Sequence, residues 1–417
     1  MQQLGIDIAA FYRMQLRDVA IKPSNALFRF YHLRSSFEAE LDKNALNFLI
    51  EGLENNGKCS RPDQEEMFQS LEKFGLLDHA GSSKPDIRDA TPLSKVEIEV
   101  ANGCNLRCRH CFVSHSTELI SLPLFREIVN GARRLGAISL ALNGGEPTLH
   151  PDLLTLVEIS VRAGLRTRLF SNAVKIDSSL AKGLKDAGLS RALVSLETFQ
   201  EFHEWLRGPN TWEPALRGVK ALVSAGIEVV INSTISKKNL HQMSEFQKFV
   251  IEDLKANSIK YGVAVPLGAA KIHWSELSLP ERDFPEVFKF SSEERPLPDG
   301  DRPLSCKAGV NQLFIDVHGG VYPCHLLALP EFHFGNLPKP SFDLEDAYKC
   351  HGSANLLYNG FPHEKLIECN QCDHRKDCGG GCRGRVYMMT GNLFAKDPIS
   401  CARFLGTPIE SSLVKIR

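Results

Sequence analysis

Cys104, Cys108 and Cys111 stand in the run VANGCNLRCRHCF as C-x3-C-x2-C. Three thiolates from one short loop can converge on a single centre. They suit a [4Fe–4S] cube, which keeps one iron without a protein ligand. A structural zinc ion, asking for a fourth ligand such as His110 or His115, is the alternative. Further on, Cys306 and Cys324 form C-x12-G-x4-C around Gly319, followed by Cys369-x2-Cys372-x5-Cys378-x3-Cys382 and then Cys401. A zinc ribbon accounts for C-x2-C plus two more cysteines, not for seven thiols in this order. Of the twelve cysteines, Cys59 and Cys350 fall outside these patterns. None lies between 111 and 306, and such clustering in a large chain favours metal binding over disulfides.

These residues need elements to hold them. From residue 95 strand and helix patterns alternate. Strands are expected at Lys95–Ala101, Ala137–Leu142, Leu165–Phe170, Arg191–Leu196, Ile227–Ile235 and Ile259–Val265. Amphipathic helices are expected at Leu122–Leu135, Leu153–Ala163, Ser178–Ala187, Trp212–Ala225 and Leu240–Leu254. Regular β-then-α order implies a parallel sheet with right-handed crossovers. Six units are too few for a closed eight-fold barrel, so an α/β fold with an open, partial (β/α)6 TIM-type barrel is expected over 93–268. The first cysteine loop leaves a C-terminal strand end, where such barrels place their chemistry. The second strand ends in Asn143-Gly144-Gly145-Glu146-Pro147. Glycines there let backbone approach a ligand, and the carboxylate can receive an ammonium group; from these residues alone, a plain Gly-Gly turn before a helix beginning near Pro147 is the better reading.

Around the barrel, 269–303 is rich in proline and charge and reads as a bridge. Residues 304–417, with seven patterned cysteines and many glycines, read as a domain organised by cofactors rather than by a large core. At the other end, residues 1–85 read as a small unit. Strand-like Ala26–Leu33 and Phe37–Leu41 form a hairpin, helices follow at Asn44–Glu54 and Asp63–Phe74, and the order suggests a winged helix-turn-helix. Over residues 1–90, 11 Lys and Arg face 14 Asp and Glu. That balance is poor for a DNA-binding face, and the whole chain is near neutral at −1. No nucleic-acid partner is expected. No run has the ~18 apolar residues of a membrane span, and the start, with Asp7 and no basic stretch before an apolar one, does not read as a signal peptide. A cytoplasmic location and no membrane partner are expected.

The C-x3-C-x2-C loop with GGEP at the next strand end resembles the radical S-adenosylmethionine (SAM) superfamily. His110 stands where that family has an aromatic residue before the last cysteine. The resemblance implies that Cys104, Cys108 and Cys111 hold a SAM-binding [4Fe–4S] cluster, and that Gly144, Gly145 and Glu146 hold the amino group of SAM. Asn172, in LFSNAV, would lie near the cofactor. Ser195, in LVSLE, and Arg207, in EFHEWLRG, would hold its carboxylate. Reductive cleavage of SAM would then yield a 5′-deoxyadenosyl radical that abstracts hydrogen from an unactivated C–H.

The later cysteines closely resemble the SPASM domain of peptide-modifying members, matching every fixed spacing. This implies two auxiliary [4Fe–4S] clusters, three in all. Cys369, Cys372, Cys378 and Cys401 would ligate one, and Cys306, Cys324 and Cys382 the other, whose fourth position is unassigned. His325, directly after a ligand, is the candidate catalytic base. Members that oxidise sulfatases have an aspartate there, which sets this chain apart from them. The N-terminal unit is similar to domains that bind the leader of a ribosomally made (RiPP) precursor peptide by adding it as a strand. The expected activity is maturation of such a peptide by an oxidative C–C (cyclophane-type) or C–S cross-link, with a flavodoxin or ferredoxin as reductant. A formylglycine-generating oxidase, a sugar or aminocyclitol dehydrogenase or epimerase, and a non-enzymatic redox sensor are the alternatives.

Overall fold

The computed structural model describes residues 19–24, 27–33, 38–54, 71, 86–87, 93–113, 116–289, 306, 308–337, 343–350 and 365–405. A small sheet comes first: β1 (Val19–Ser24), β2 (Leu27–His32), β3 (Glu38–Asp42), then helix α1 (Lys43–Glu54) and β4 (Asp86–Ile87), in spatial order β3-β2-β1-β4. The expected hairpin is β2 with β3, paired from Leu27↔Asp42 to Tyr31↔Glu38. Strand β1 is an addition. Its Lys22 and Pro23 disguise it, yet Lys22 is only 4% exposed because its ammonium donates to the carbonyls of Leu93 and Gly136. The expected second helix, Asp63–Phe74, lies outside the described residues save for Leu71, so the winged-helix expectation is not decided there.

The larger unit is α/β with a parallel sheet. Strands β5 (Lys95–Ala101), β6 (Ser139–Gly144), β7 (Arg166–Ser171), β8 (Arg191–Ser195), β9 (Glu228–Ile235) and β10 (Ser258–Val263) pair in sequential order, all parallel. Between them run α2 (Leu122–Arg134), α3 (Leu153–Arg162), α4 (Ser178–Asp186), α5 (Phe199–Arg207), α6 (Trp212–Ser224) and α7 (Met243–Lys248). Helix α2 shows why these segments fold as they do. Ser121 caps it by accepting from the Leu124 N–H at 3.3 Å, and Phe125, Ile128, Val129 and Ala132 recur on one buried face. Phe125 is fully buried, so truncating it to alanine should cost about 3–5 kcal/mol. Val96, Ile98 and Val100 meet the helices on the outer face of β5, while Glu97 and Glu99 alternate to the barrel interior.

One helix was not expected. Phe199, Phe202 and Leu206 of α5 have helical spacing, and Gly208 ends the helix at φ 117°, but the stretch between β8 and α6 looks too short for two helices. The expected bridge likewise carries short helical turns, including α8 (Trp274–Leu277) and α9 (Phe284–Lys289), up to residue 289.

The C-terminal region enters through the same sheet. β11 (Gln312–Ile315) lies parallel beside β5, and β12 (Gly320–Tyr322) and β13 (Gly335–Asn336) follow antiparallel, giving nine strands in order β10-β9-β8-β7-β6-β5-β11-β12-β13. Helix α10 (Leu344–Cys350) then packs on α2, with Leu344 over Gly131 and an Asp343–Arg134 pair at 3.1 Å. Short helices α11 (Arg375–Cys378), α12 (Arg383–Thr390) and α13 (Pro398–Leu405) complete the described chain.

The small N-terminal sheet is fastened to the opposite end of the barrel from the cysteine loop. Arg166, first residue of β7, donates to the His32 carbonyl at 3.1 and 3.0 Å, pairs with Glu38 at 2.7 Å and lies 5.7 Å from the Tyr31 ring. Among the described residues no helix is long and apolar enough to cross a membrane.

Candidate active site

The first cysteine loop leaves β5 at its C-terminal end and is gripped from three sides. The Gly145 N–H donates to the Ala101 carbonyl and the Glu146 N–H to the Gly103 carbonyl, each at 2.8 Å. A Cβ on Gly145 would come within 2.3 Å of the Gly103 carbonyl oxygen, and one on Gly144, at φ 149°, within 2.1 Å of that of Ala101. The two glycines therefore admit the cysteine loop itself. From α5, the Leu206 carbonyl accepts from the Arg109 N–H and the Trp205 carbonyl from Arg109 Nε, both at 2.8 Å. From 268–271, the Ala269 N–H donates to the Cys111 carbonyl at 2.8 Å.

Glu146 is 1% exposed, and its carboxylate accepts from Thr148 N–H (3.1 Å), Thr148 Oγ1 (2.8 Å), Ser171 Oγ (2.7 Å) and Asn172 N–H (2.7 Å). Burial pushes its pKa up against these donors. Three of these bonds fall on Oε1 and one on Oε2, and together they tie the end of β6 to the end of β7. Asn172 continues the tie: its Nδ2 donates to Asn105 Oδ1 at 2.8 Å and stands 3.9 Å from Cys104 Sγ.

Arg207 is 8% exposed and Glu197 fully buried. Arg207 Nε and Nη2 both donate to Glu197 Oε1, at 2.9 and 2.5 Å, while Nη1 lies 4.0 Å from Cys108 Sγ. The other Glu197 oxygen accepts from the Thr234 N–H at 2.5 Å and Ser233 Oγ at 3.3 Å. Arg207 thus joins β8, β9 and the cysteine loop. Ser195 ends β8, opposite Asn232 of β9, two residues before Glu197. Glu197 had one usable signal, a charged residue directly after an apolar strand.

His325 reaches the same mouth from the C-terminal region. Its Nδ1 donates to Glu97 Oε2 at 3.2 Å, and its ring stacks on Phe112 with centroids 6.0 Å apart. Burial raises the Glu97 carboxyl, but the His325 bond and the Lys95 charge outweigh it and hold the group well below the usual carboxylate range. With Nδ1–H bound to the carboxylate, Nε2 is the nitrogen left to accept a proton.

The ten patterned thiols carry no disulfide and gather in three sets. Cys108 is pushed up to about 11 by burial and by repulsion from Cys111 and Cys104, against the pull of Arg207. Burial raises Cys324, helped by Cys306 and Cys382. Burial raises Cys401 to about 12, helped by Cys369 and Cys378, and Cys378 itself feels Cys369 and Cys372. The sets are therefore Cys104, Cys108 and Cys111; Cys306, Cys324 and Cys382; and Cys369, Cys372, Cys378 and Cys401. Among the described residues, no group of three or more His, Cys, Asp or Glu is disposed to hold a single metal ion.

Residues 98–250 match the Radical SAM superfamily. The chain is 25% identical over 369 residues to an AdoMet-dependent heme synthase of Oleidesulfovibrio alaskensis, covering 79% of this chain and 93% of that protein. Its fold is similar to that of Streptococcus suis SuiB bound to S-adenosylmethionine (TM-score 0.62, 17% identity, 93% of this chain and 100% of that one), which has also been solved with its precursor peptide SuiA. It is similar too to anSMEcpe with bound AdoMet and the Cp18Cys peptide (TM-score 0.59, 22% identity, 75% and 95%). The match over 98–250, with the heme synthase relative, supports an enzyme that uses SAM and a [4Fe–4S] cluster.

The donor set at the strand ends fits that cluster. Crowded thiols whose ionisation is opposed by burial and by one another need a shared cationic partner, which a cluster of irons supplies. Arg207 lies beside Cys108 and Asn172 beside Cys104.

Proposed function

We propose that this protein is a radical SAM peptide maturase with two auxiliary [4Fe–4S] clusters in a SPASM-type C-terminal domain. Cys104, Cys108 and Cys111 hold the SAM-binding cluster; Cys306, Cys324 and Cys382 hold one auxiliary cluster, and Cys369, Cys372, Cys378 and Cys401 the other. When bound, the first cluster supplies the electron that cleaves SAM to the hydrogen-abstracting 5′-deoxyadenosyl radical. The remaining work belongs to the chain. Gly144 and Gly145 seat the cysteine loop, Glu146 and Asn172 fix the floor beneath the methionine end of SAM, and Ser195 and Arg207 face its carboxylate. His325 Nε2 accepts the proton released when the substrate radical is oxidised, with Glu97 stabilising the charged ring.

The observation that carries this reading is the contact of His325 with Phe112 and Glu97, which joins the C-terminal thiols to the barrel mouth. The peptide substrate is supported by the small sheet, whose outer strand β3 leaves one edge unpaired among the described residues and so offers backbone donors and acceptors to a leader strand. SuiB and anSMEcpe, both solved with peptides, point the same way. The heme synthase relatives favour a second reading, a heme-forming oxidation of a tetrapyrrole.

The test offers anaerobically reconstituted protein, SAM and reductant a short peptide encoded beside its gene, and in parallel a heme precursor. Loss of two hydrogens from the peptide, with one 5′-deoxyadenosine per event, supports the maturase. Proline scanned through Ala39–Leu41 should then abolish leader binding while sparing SAM cleavage without substrate. Conversion of the tetrapyrrole alone establishes the second reading.

A further inference from the structure

Arg383 is fully buried, the largest side chain among the described residues to be so. It opens α12 immediately after Cys382, and its Nη1 is anchored to the carbonyls of Leu393 (2.9 Å) and Ala395 (2.8 Å). Those carbonyls lie beside the apolar cluster of Leu327, Leu366 and Leu393, against which Cys306 and Cys369 pack. Its main-chain N–H donates to the Cys306 sulfur, and its charge is felt by Asp397 first and then by Cys306, Cys369 and Cys382. One guanidinium therefore stands between thiols of two different sets.

The two sets differ in their number of thiolates and of N–H groups bonded to sulfur. Cys306 accepts main-chain N–H bonds from Ala308 and Arg383, Cys324 from Leu326 and Leu327, and Cys382 from Arg385 at the start of α12. In the other set Cys378 accepts from Gly380, and the Asp397 carboxylate presses on Cys378 and Cys401 against the pull of Lys396 on Cys401 and of Arg383 and Arg375 on Cys369. Asp397 is held in place by Arg385, at 3.2 and 2.5 Å, and by the Cys382 N–H at 2.9 Å. An added electron is favoured by positive charge and sulfur-bound N–H groups, and disfavoured by a fourth thiolate and a nearby carboxylate.

We propose that Arg383 is a shared counter-cation that makes both auxiliary clusters easier to reduce, and that the Cys306, Cys324 and Cys382 cluster is the more reducible of the two. It is a tuning residue rather than a catalytic one. The inference rests on the auxiliary-ligand reading above, and its test separates the two.

The full chain with Cys104, Cys108 and Cys111 replaced by alanine confines the iron signal to the C-terminal sets. Arg383→Met keeps the length and suits the apolar surroundings, a replacement that buried charges often tolerate. Iron and sulfide content should match the parent, while at one poised potential the reduced-to-oxidised ratio, counted by electron paramagnetic resonance, falls about tenfold. Arg383→Lys should restore most of it. Full iron with an unchanged ratio in Arg383→Met overturns the proposal. A parent without C-terminal iron overturns the ligand reading instead, and this inference with it. If Arg383→Met does not take up iron, protein labelled with 15N-arginine decides: its reduced clusters should show a nitrogen coupling that Arg383→Lys lacks, and the absence of that coupling defeats the proposal.

Discussion

Replacing Glu146 by glutamine separates a residue that holds the ligand from one that holds the site. The carboxylate accepts four hydrogen bonds, from Thr148 N–H, Thr148 Oγ1, Ser171 Oγ and Asn172 N–H. A glutamine amide has one oxygen and one NH2, so in its better orientation the NH2 faces the Asn172 N–H. Two donors then confront each other. An unsatisfied buried N–H costs about 1–3 kcal/mol, and the three surviving bonds lose their charge assistance, about 1 kcal/mol each. Relief of burying a charge offsets part of this, leaving a net loss of about 2–4 kcal/mol. For a barrel-sized unit that lowers the melting temperature by about 5–12 °C. The assay is anaerobic thermal unfolding of reconstituted protein without SAM, with hydrogen exchange of the 170–174 amides as the local readout. Faster exchange at Asn172 should accompany the lower melting point. An unchanged melting temperature and exchange, with SAM affinity down tenfold or more, would refute the tie and make Glu146 a direct ligand of the SAM ammonium.

Arg207→Ala leaves the buried Glu197 charge without its guanidinium, so it should destabilise by about 3–5 kcal/mol as well as weaken SAM binding. Adding Glu197→Gln should recover part of the stability but not the affinity, and a double-mutant cycle measures both. His203, its Nδ1 accepting from the Glu197 N–H at 3.2 Å, is held down to about 3 by burial and by Arg207. Its depressed folded pKa means the unfolded chain binds the extra proton. The stability of neutral His203 is therefore fully present above about 6.5 and lost as pH falls towards 3, at up to ~1.4 kcal/mol per pH unit. Between pH 7 and 5 the denaturation midpoint of His203→Phe should fall less steeply than that of the parent. Substituting Cys104, Cys108 and Cys111 together should remove about one [4Fe–4S] cluster of three and all SAM cleavage; stoichiometric zinc with little iron would sink the whole assignment.

Most of the barrel was legible because its strands and helices are long and strongly periodic: β5 falls where the alternation around Glu97 and Glu99 places it, and α2 begins after Ser121 as its cap and apolar spacing require. The proposed grouping of the ten thiols rests on spacing and family resemblance together. Other features could not be read. Strand β1 needs partners for Lys22 that lie more than seventy residues away, at Leu93 and Gly136. β11 is four residues long and becomes a strand through β5. Local pattern cannot show that Glu146 accepts from Ser171 and Asn172, nor that Arg207 turns two of its nitrogens to Glu197. In each case a residue type named the chemistry, and tertiary neighbours decided how the side chain is used.

The seat of β11 beside β5 has a consequence for synthesis. β5 pairs with β6 on one side almost at once, but its other edge waits for residues made more than two hundred positions later. At about 5–20 residues per second that interval is tens of seconds on the ribosome. Through it, an apolar strand rim next to the nascent cysteine loop stays open to any passing chain. Slowing translation between residues 250 and 310 should therefore raise the insoluble fraction, and a chaperone that covers strand edges should lower it, before any iron has been delivered.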